Sequence, residues 1–334
     1  MSAKHTFCFY IVVFLFLLSC SPAAPAITID ELANICKAMD SSIVDISLEY
    51  QWYCDSPLTV EERLKFAAEK GFLLDIGRAT YKLSAARALS GRDPNSPVFD
   101  RFYLELSTTL MNKDENVWDI VTKTSYDGKV TKHLAIDELH QPVIDGTIAS
   151  GRDFVNYMHP VNLTPIGFSV LRPGIRDPDD KLLLLSDILK DKKEFVRLDN
   201  TITKVNGFNT VRVDLLTETD PKNQFVYRRI YFSVDHGYTP VRYEYVRPTR
   251  AGTTEVIMAM DVLSLEQVAQ GLWFPSSGII SSPDEQDKSV YQASGKIVVN
   301  QGLTDKQFDI EFPVGTKVYD RINDRQYVVK STGE

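Results

Sequence analysis

From Asp45 to Cys54 the chain alternates, with Ile46, Leu48, Tyr50, Trp52 and Cys54 on one side and Asp45, Ser47, Glu49 and Gln51 on the other. Successive side chains of a strand point to opposite faces, so the stretch predicts a long half-buried strand. From Phe99 the same period of two dominates. "FYLELSTTL" reads as a strand and "NVWDIVTKTSYDGKVTKHLAI" as a hairpin, in which Asp127-Gly128 supplies the positive-φ turn. "KEFVRL", "NTVRVDLL", "FVYRRIYFSV", "PVRYEYV", "TTEVIMAMDVLSL", "GLWFPSSGII", "VYQASGKIVV" and "KQFDIEF" continue the series, several separated by turns such as Asn206-Gly207 and His236-Gly237. About ten hairpin-connected strands predict a mainly β fold built on one large antiparallel sheet.

Helical spacing is confined to short stretches. Thr28-Ile29-Asp30-Glu31 has the T-x-x-E spacing of a capping box, and Ile29, Leu32, Cys36 and Met39 follow at helical intervals. Thr59 to Glu62 repeats the box and opens a charged helix ending at Gly71. "KLLLLSDILK" fits a third, short helix, whereas "ATYKLSAARALSG" fits strand and helix alike.

The rhythm breaks between Pro142 and Lys190, a Gly- and Pro-rich stretch containing "NYMHPVNLTPIGFSVLRPG". Long loops within a domain are usually functional or disordered. Phe154, Tyr157, Met158, Ile166, Phe168 and Leu171 make it too apolar for disorder. It is expected to cap an open end of the core, and becomes a lid if the interior beneath is a ligand cavity. No repeat, low-complexity tract or linker divides residues 28–334, which read as one domain.

Composition adds an address. Lys4 and His5 precede an apolar run from Phe7 to Leu18, twelve residues long. A membrane span takes about 20, so the run suits an export signal over residues 1–19. Leu17-Leu18-Ser19-Cys20 resembles the bacterial lipobox, which implies a diacylglycerol on the Cys20 sulfur and cleavage just before it. The competing A-x-A site, Ala24-Pro25-Ala26, carries a proline where a peptidase needs free extended backbone. Residues 20–27 would then form a tether, stiffened by Pro22 and Pro25, that holds the body within roughly 20–25 Å of a membrane. The formal charge of −8, without basic clusters, argues against nucleic acid and against docking on anionic lipid.

Cys36 and Cys54 remain in the folded part, and an oxidising compartment invites a disulfide between them. Geometry opposes it. Cys54 lies about 30 Å along the strand from its start, and Cys36 only about one helical turn before that start. A bond needs Cα atoms within about 7 Å, so a disulfide and two separate thiols both stay open.

Catalytic patterns are missing. Gly167 and Ser169 in "GFSVLRPG" lack the second glycine of a nucleophile elbow, and no P-loop, dinucleotide fingerprint, H-E-x-x-H or EF-hand loop occurs. "HLAIDELH" collects His133, Asp137, Glu138 and His140, but on a strand these side chains scatter. Asp177, Asp179 and Asp180 lack the spaced oxygen set of a calcium loop. No metal, cofactor or catalytic residue is therefore expected. Trp52, Trp118 and Trp273 are expected in the core or at its rim, and the Arg and Tyr of "FVYRRIYF" and "PVRYEYV" on the sheet's solvent side.

The order of elements is itself suggestive. A lipobox, a short helix, the strand "ISLEYQW" and a train of hairpins lead to "GFNTVRVDL", "YFSVDHGYTPVRYEY", "GLWFP" and "FDIEFPVGTKVYDRINDRQYVV". This pattern, over roughly residues 28 to 325, resembles the LolA/LolB-like superfamily of bacterial envelope proteins, in particular its predicted lipoproteins. The resemblance implies a curved, half-open β-barrel wrapping short helices, with an apolar concavity that accepts acyl chains and needs no cofactor. It implies a non-enzymatic, lipid-anchored envelope protein that binds a lipid, a lipoprotein acyl chain or another apolar ligand. Ser21 after the anchor cysteine points to the outer membrane. The alternative is an envelope sensor that binds a protein partner through the same fold.

Overall fold

The structure, a computed structural model, describes residues 26–56, 58–70, 74–75, 79–86, 101–111, 117–137, 143–150, 185–191, 193–217, 225–249, 252–283 and 288–331. The first helix, α1 (Ile29–Ser42), is followed by β1 (Asp45–Asp55), α2 (Val60–Lys70), β2 (Leu74–Asp75), β3 (Ala79–Ala86) and β4 (Arg101–Met111). Next come β5 (Val117–Tyr126), β6 (Val130–Asp137), β7 (Val143–Ser150), α3 (Leu185–Asp191), β8 (Val196–Val205), β9 (Phe208–Leu216) and β10 (Val226–Ser233). The chain continues through β11 (Thr239–Pro248), β12 (Thr254–Ala269), β13 (Leu272–Ser281), β14 (Lys288–Ala293), β15 (Val298–Val299), β16 (Lys317–Asp320) and β17 (Arg325–Val328).

These strands form one curved sheet. Its order runs β8-β9-β10-β11-β12-β13-β14-β1-β3-β4-β5-β6-β7-β16-β17, with β2 beside β4 and β15 continuing beside β1 beyond β14. Every pair is antiparallel except β7 with β16. The strand predicted first in the sequence is thus the keystone. β1 joins the C-terminal half of the sheet, through β14, to the N-terminal half, through β3.

Local chemistry explains the element ends. At α1 the Thr28 amide donates to Glu31 Oε2 (2.8 Å) and the Glu31 amide to Thr28 Oγ1 (3.2 Å), and Thr59 and Glu62 repeat the exchange ahead of α2. Asn206 and Gly207 both take positive φ between Val205 and Phe208, the backbone that a two-residue hairpin requires. The β5–β6 turn is displaced by one residue from the expected one. Asp127 pairs with Val130, so Gly128 and Lys129 form its centre while the Asp127 carboxylate accepts from the Lys129 and Val130 amides.

The concave face carries the core. Leu32, Ala33 and Cys36 of α1 and Leu185, Ile188 and Leu189 of α3 pack on Val211, Val213 and Leu215 of β9, Ile230 and Phe232 of β10, Tyr243 of β11 and Met260 of β12. A second cluster joins Ile46, Leu48 and Tyr50 of β1 to Leu272 and Phe274 of β13, with Ile43, Ile297 and Val299. Met39, near the end of α1, touches both. On the convex face three arginines alternate with four carboxylates across β8 to β12. Arg212 pairs with Asp199 and Asp214, Arg229 with Asp214 and Glu244, and Arg242 with Glu244 and Asp261, at 2.8–3.7 Å. Arginines expected on the solvent side are there, with one exception: Arg228 is buried on the core side, its guanidinium 4.7 Å from the Tyr245 ring centre.

The structure resolves the readings left open and corrects others. "ATYKLSAA" is strand β3. The segment expected as a loop from Pro142 opens with strand β7, although its helix α3 is present. "KQFDIEF" is not a strand: Asp305–Phe308 is a 3-10 turn and the next residues run extended without pairing in the sheet. Asp45, assigned to the polar side of β1, is buried, because its carboxylate accepts from the Gln301, Gly302 and Leu303 amides at 2.7, 2.9 and 3.3 Å. Cys36 and Cys54 carry thiols with no disulfide between them, Cys36 in the α1 core face and Cys54 at the far end of β1.

Candidate functional site

The two halves of the concave face differ. Over β9 to β12 it is filled by α1 and α3, whereas over β5 to β7 the described residues place no helix side chain in either core cluster. The half that the described helices leave uncovered is the candidate site. Registers fix which residues face it. Leu48 of β1 leads through β3 to Leu104 of β4, and Leu104 is followed across the strands by Thr124 of β5, His133 of β6 and Thr147 of β7. One residue pair along, the row reads Tyr50, then Leu106, Thr122 and Ala135.

Burial along these strands is graded. On the inner face Ile46, Leu48, Tyr50, Ala79, Thr124, Tyr126, Thr131 and Ala149 are buried, while Trp52, Cys54, Leu104, Leu106, Thr122, His133 and Ala135 are half-buried. On β5 to β7 burial is therefore greatest beside the β5–β6 turn and falls away from it. Tyr291 of β14 lies edge-on to Tyr50, with ring centres 5.9 Å apart, and faces the same concavity. Burial pushes both phenols up, so they are neutral hydrogen-bonding groups at physiological pH. The Tyr50 hydroxyl donates to the Pro275 carbonyl.

Thr124, His133 and Thr147 make a small polar row, and Asp145, opposite Ala135, stands beside it on the same face of β7. His133 Nδ1 and Thr124 Oγ1 are 2.9 Å apart, and burial pushes the imidazole down from its ordinary value. The basic residues and Glu105 of β3 to β6 face outward: Lys82, Arg101, Glu105, Lys123 and Lys132 alternate with the inner-face residues. Glu105 contacts Lys82 (3.4 Å) and Lys123 (3.2 Å) there. Such a site can bury apolar surface and exchange a few hydrogen bonds. Among the described residues, no group of three or more metal-ligating side chains is present.

His133 and Asp137 are both in β6, four residues and hence about 13 Å apart. Distance along the strand, more than alternation, separates them. Glu138, His140, Gly167, Ser169 and the Asp177–Asp180 group lie outside the described residues, as do Cys20 and the lid residues Phe154, Tyr157, Met158, Ile166, Phe168 and Leu171. Trp52 is half-buried on the concave face, and Trp273 lies edge-on to His236 at the rim with ring centres 4.7 Å apart. The inner-face residues of β4 to β7 were not singled out from the sequence. Their signal was the alternation itself, which names a face only once the register of each hairpin is known.

No family model matches the sequence, and no curated protein does. Solved structures do match. A DUF1329 family protein from Desulfovibrio piger is 11% identical over 83% of this chain and 95% of its own, with a TM-score of 0.40. A domain from Vibrio parahaemolyticus assigned to outer-membrane lipoprotein sorting is 11% identical over 84% of this chain and 95% of its own, with a TM-score of 0.41. A LolA superfamily protein from Nitrosomonas europaea is 10% identical over 85% of this chain and 99% of its own, with a TM-score of 0.36. The superfamily that the sequence pattern resembles is thus among the structures matched.

Proposed function

We propose that the protein binds the acyl chain of a lipid or of an acylated protein on the open half of its concave face, and that a lipid on Cys20 holds it to a membrane of the bacterial envelope. One observation carries the binding: the apolar row through Leu104 and Leu106 continues the core of the filled half but is only half-buried. An acyl chain laid along it buries surface of the kind that α1 and α3 bury next door. Reversible affinity of this sort needs shape and apolar area, not a nucleophile or metal.

The test is extraction of the purified full chain for mass spectrometry, together with titration of a fluorescent acyl probe. Co-purifying lipid and saturable probe binding are expected. Leu106→Asp should weaken the probe by roughly 30-fold, the equivalent of about 2 kcal/mol for one buried leucine. An empty extract and a core that excludes the probe would refute the reading. The anchor is read separately, because a Cys20→Ala form should leave the membrane fraction.

A further inference from the structure

Among the described strands the sheet has two edges, β8 and β17, and the two are built differently. An edge strand presents unpaired amides and carbonyls, and proteins blunt it with bulges, lysines or covering chain. β8 has all three. Its register shifts between Asp199 and Thr203, and Lys204 is exposed. The Asn200 side-chain amide donates to the Ile27 carbonyl at 3.0 Å, which holds the chain ahead of α1 beside the strand. β17 has none of them. It pairs with β16 without a register shift, contains no lysine or proline, and is exposed along its length. Its one charge, on Arg325, is met within the hairpin by Asp320 at 3.1 Å, with the guanidinium 5.3 Å from the Tyr327 ring centre.

The free edge also selects a register. The Val329 amide donates to the Thr316 carbonyl and the Val329 carbonyl accepts from the Gly315 amide, both at 2.9 Å, so Val329 faces β16. Backbone groups alternate in an antiparallel ladder, so those of Arg325 and Tyr327 face β16 too, and those of Gln326 and Val328 face outward. A second copy of this chain meets them with its own outward groups about a two-fold axis at Tyr327. Gln326 then stands opposite Val328 on both sides of the axis, and Tyr327 opposite itself. The same operation sets Asp324 opposite Lys330 twice, both exposed and of opposite charge. Axes at Gln326 or Val328 satisfy the backbone equally, but they set Asp324 against Val328, or Lys330 against Gln326, and match no charge. Closed self-complementarity of this kind is the mark of a two-fold dimer. The exposed side chains of Tyr327 and Val328 supply apolar area at its centre.

We propose that β17 pairs antiparallel with β17 of a second copy, about a two-fold axis at Tyr327, to make one sheet through two molecules. β17 follows β7 and β16 in the sheet, so the pairing sets the uncovered halves of the two concave faces side by side. The inference is independent of what those faces bind.

The test uses the full chain as Cys20→Ala, so that no lipid brings copies together, in sedimentation velocity. A concentration-dependent equilibrium between monomer and dimer is expected. Lys330→Asp turns two attractive pairs into repulsive ones and should raise the dissociation constant roughly tenfold. Asp324→Lys added to it should restore the parent value. Under mild oxidant Tyr327→Cys should give a covalent dimer, since its copies lie about 4.5 Å apart between Cα atoms. Ser331→Cys, with copies about 27 Å apart in this register, should not. A monomer at every concentration, a dimer indifferent to Lys330→Asp or not restored by the exchange, or equal cross-linking at both cysteines overturns the proposal. So does a monomer whose Tyr327→Cys thiol captures a different protein in cells, which would give the edge to a foreign strand.

Discussion

Gly278 of β13 measures how tightly the concave face is built beneath Tyr291. A Cβ added there would stand 2.1 Å from the Tyr291 hydroxyl and 2.3 Å from the Asp261 carbonyl oxygen. The first obstacle can swing away and the second is backbone. Gly278→Ala is therefore expected to lose about 1–3 kcal/mol in urea denaturation, the ordinary cost of overpacking. Adding Tyr291→Ala should not restore the loss, whereas full rescue would mean that the side chain alone sets the constraint. Nothing in "PSSGII" announces this, since close approach depends on a partner strand that the local sequence does not name. Asp45 teaches the same lesson from the polar side. Alternation put it in solvent, yet amides from more than 250 residues away, at Gln301 to Leu303, bury it. Residue patterning reports a preference for a face, and a distant hydrogen-bond donor can override it.

Among elements, the segment from Asp305 to Phe312 is the most instructive. Its period of two is real, for Phe308 and Ile310 are buried while Asp309 and Glu311 are exposed. It is nevertheless a strap laid over the convex face of β4 to β7 and not a member of the sheet. Arg101 of β4 holds Asp305, and its guanidinium lies 5.1 Å from the Phe308 ring centre. Lys132 of β6 holds Asp309, and the Phe312 ring covers Gly146 of β7 so closely that a Cβ there would meet it at 2.7 Å. The strap thereby carries the chain to the one place where β16 can pair parallel with β7. Phe308→Ala should cost about 3–5 kcal/mol in the same denaturation, as for a fully buried phenylalanine. Glu311→Ala, an exposed position, should cost less than ~0.5 kcal/mol. Equal small effects would mean that the strap does not pack. Capping boxes and Asn-Gly turns were legible because their chemistry is local. Strand and strap were not distinguishable, because alternation shows that one face is buried without showing what supplies the backbone partners.

At the scale of the whole molecule, the sheet is one but its two halves meet different needs. Helix α1 precedes the keystone strand and α3 precedes β8, so both helices settle on β9 to β12. The half from β4 to β6 was legible as strands, but its openness was not. Openness depends on where the helices dock, and an amphipathic pattern cannot say against which half of a sheet it packs. The asymmetry has a measurable consequence in the cost of local opening, which rises with buried apolar contact. Amide exchange should be slowest in β9 to β11, where Val213, Ile230 and Phe232 lie under the helices, and faster in β4, which is half-buried along its length. A bound acyl ligand should slow exchange in β4 to β6 and leave β9 to β11 unchanged, since a ligand protects the opening that it opposes. Uniform slowing across the sheet would place the ligand elsewhere or make the sheet a single cooperative unit. Slowing confined to β9 to β11 would mean that the ligand competes with the helices for the filled half, the opposite assignment of roles to the two halves.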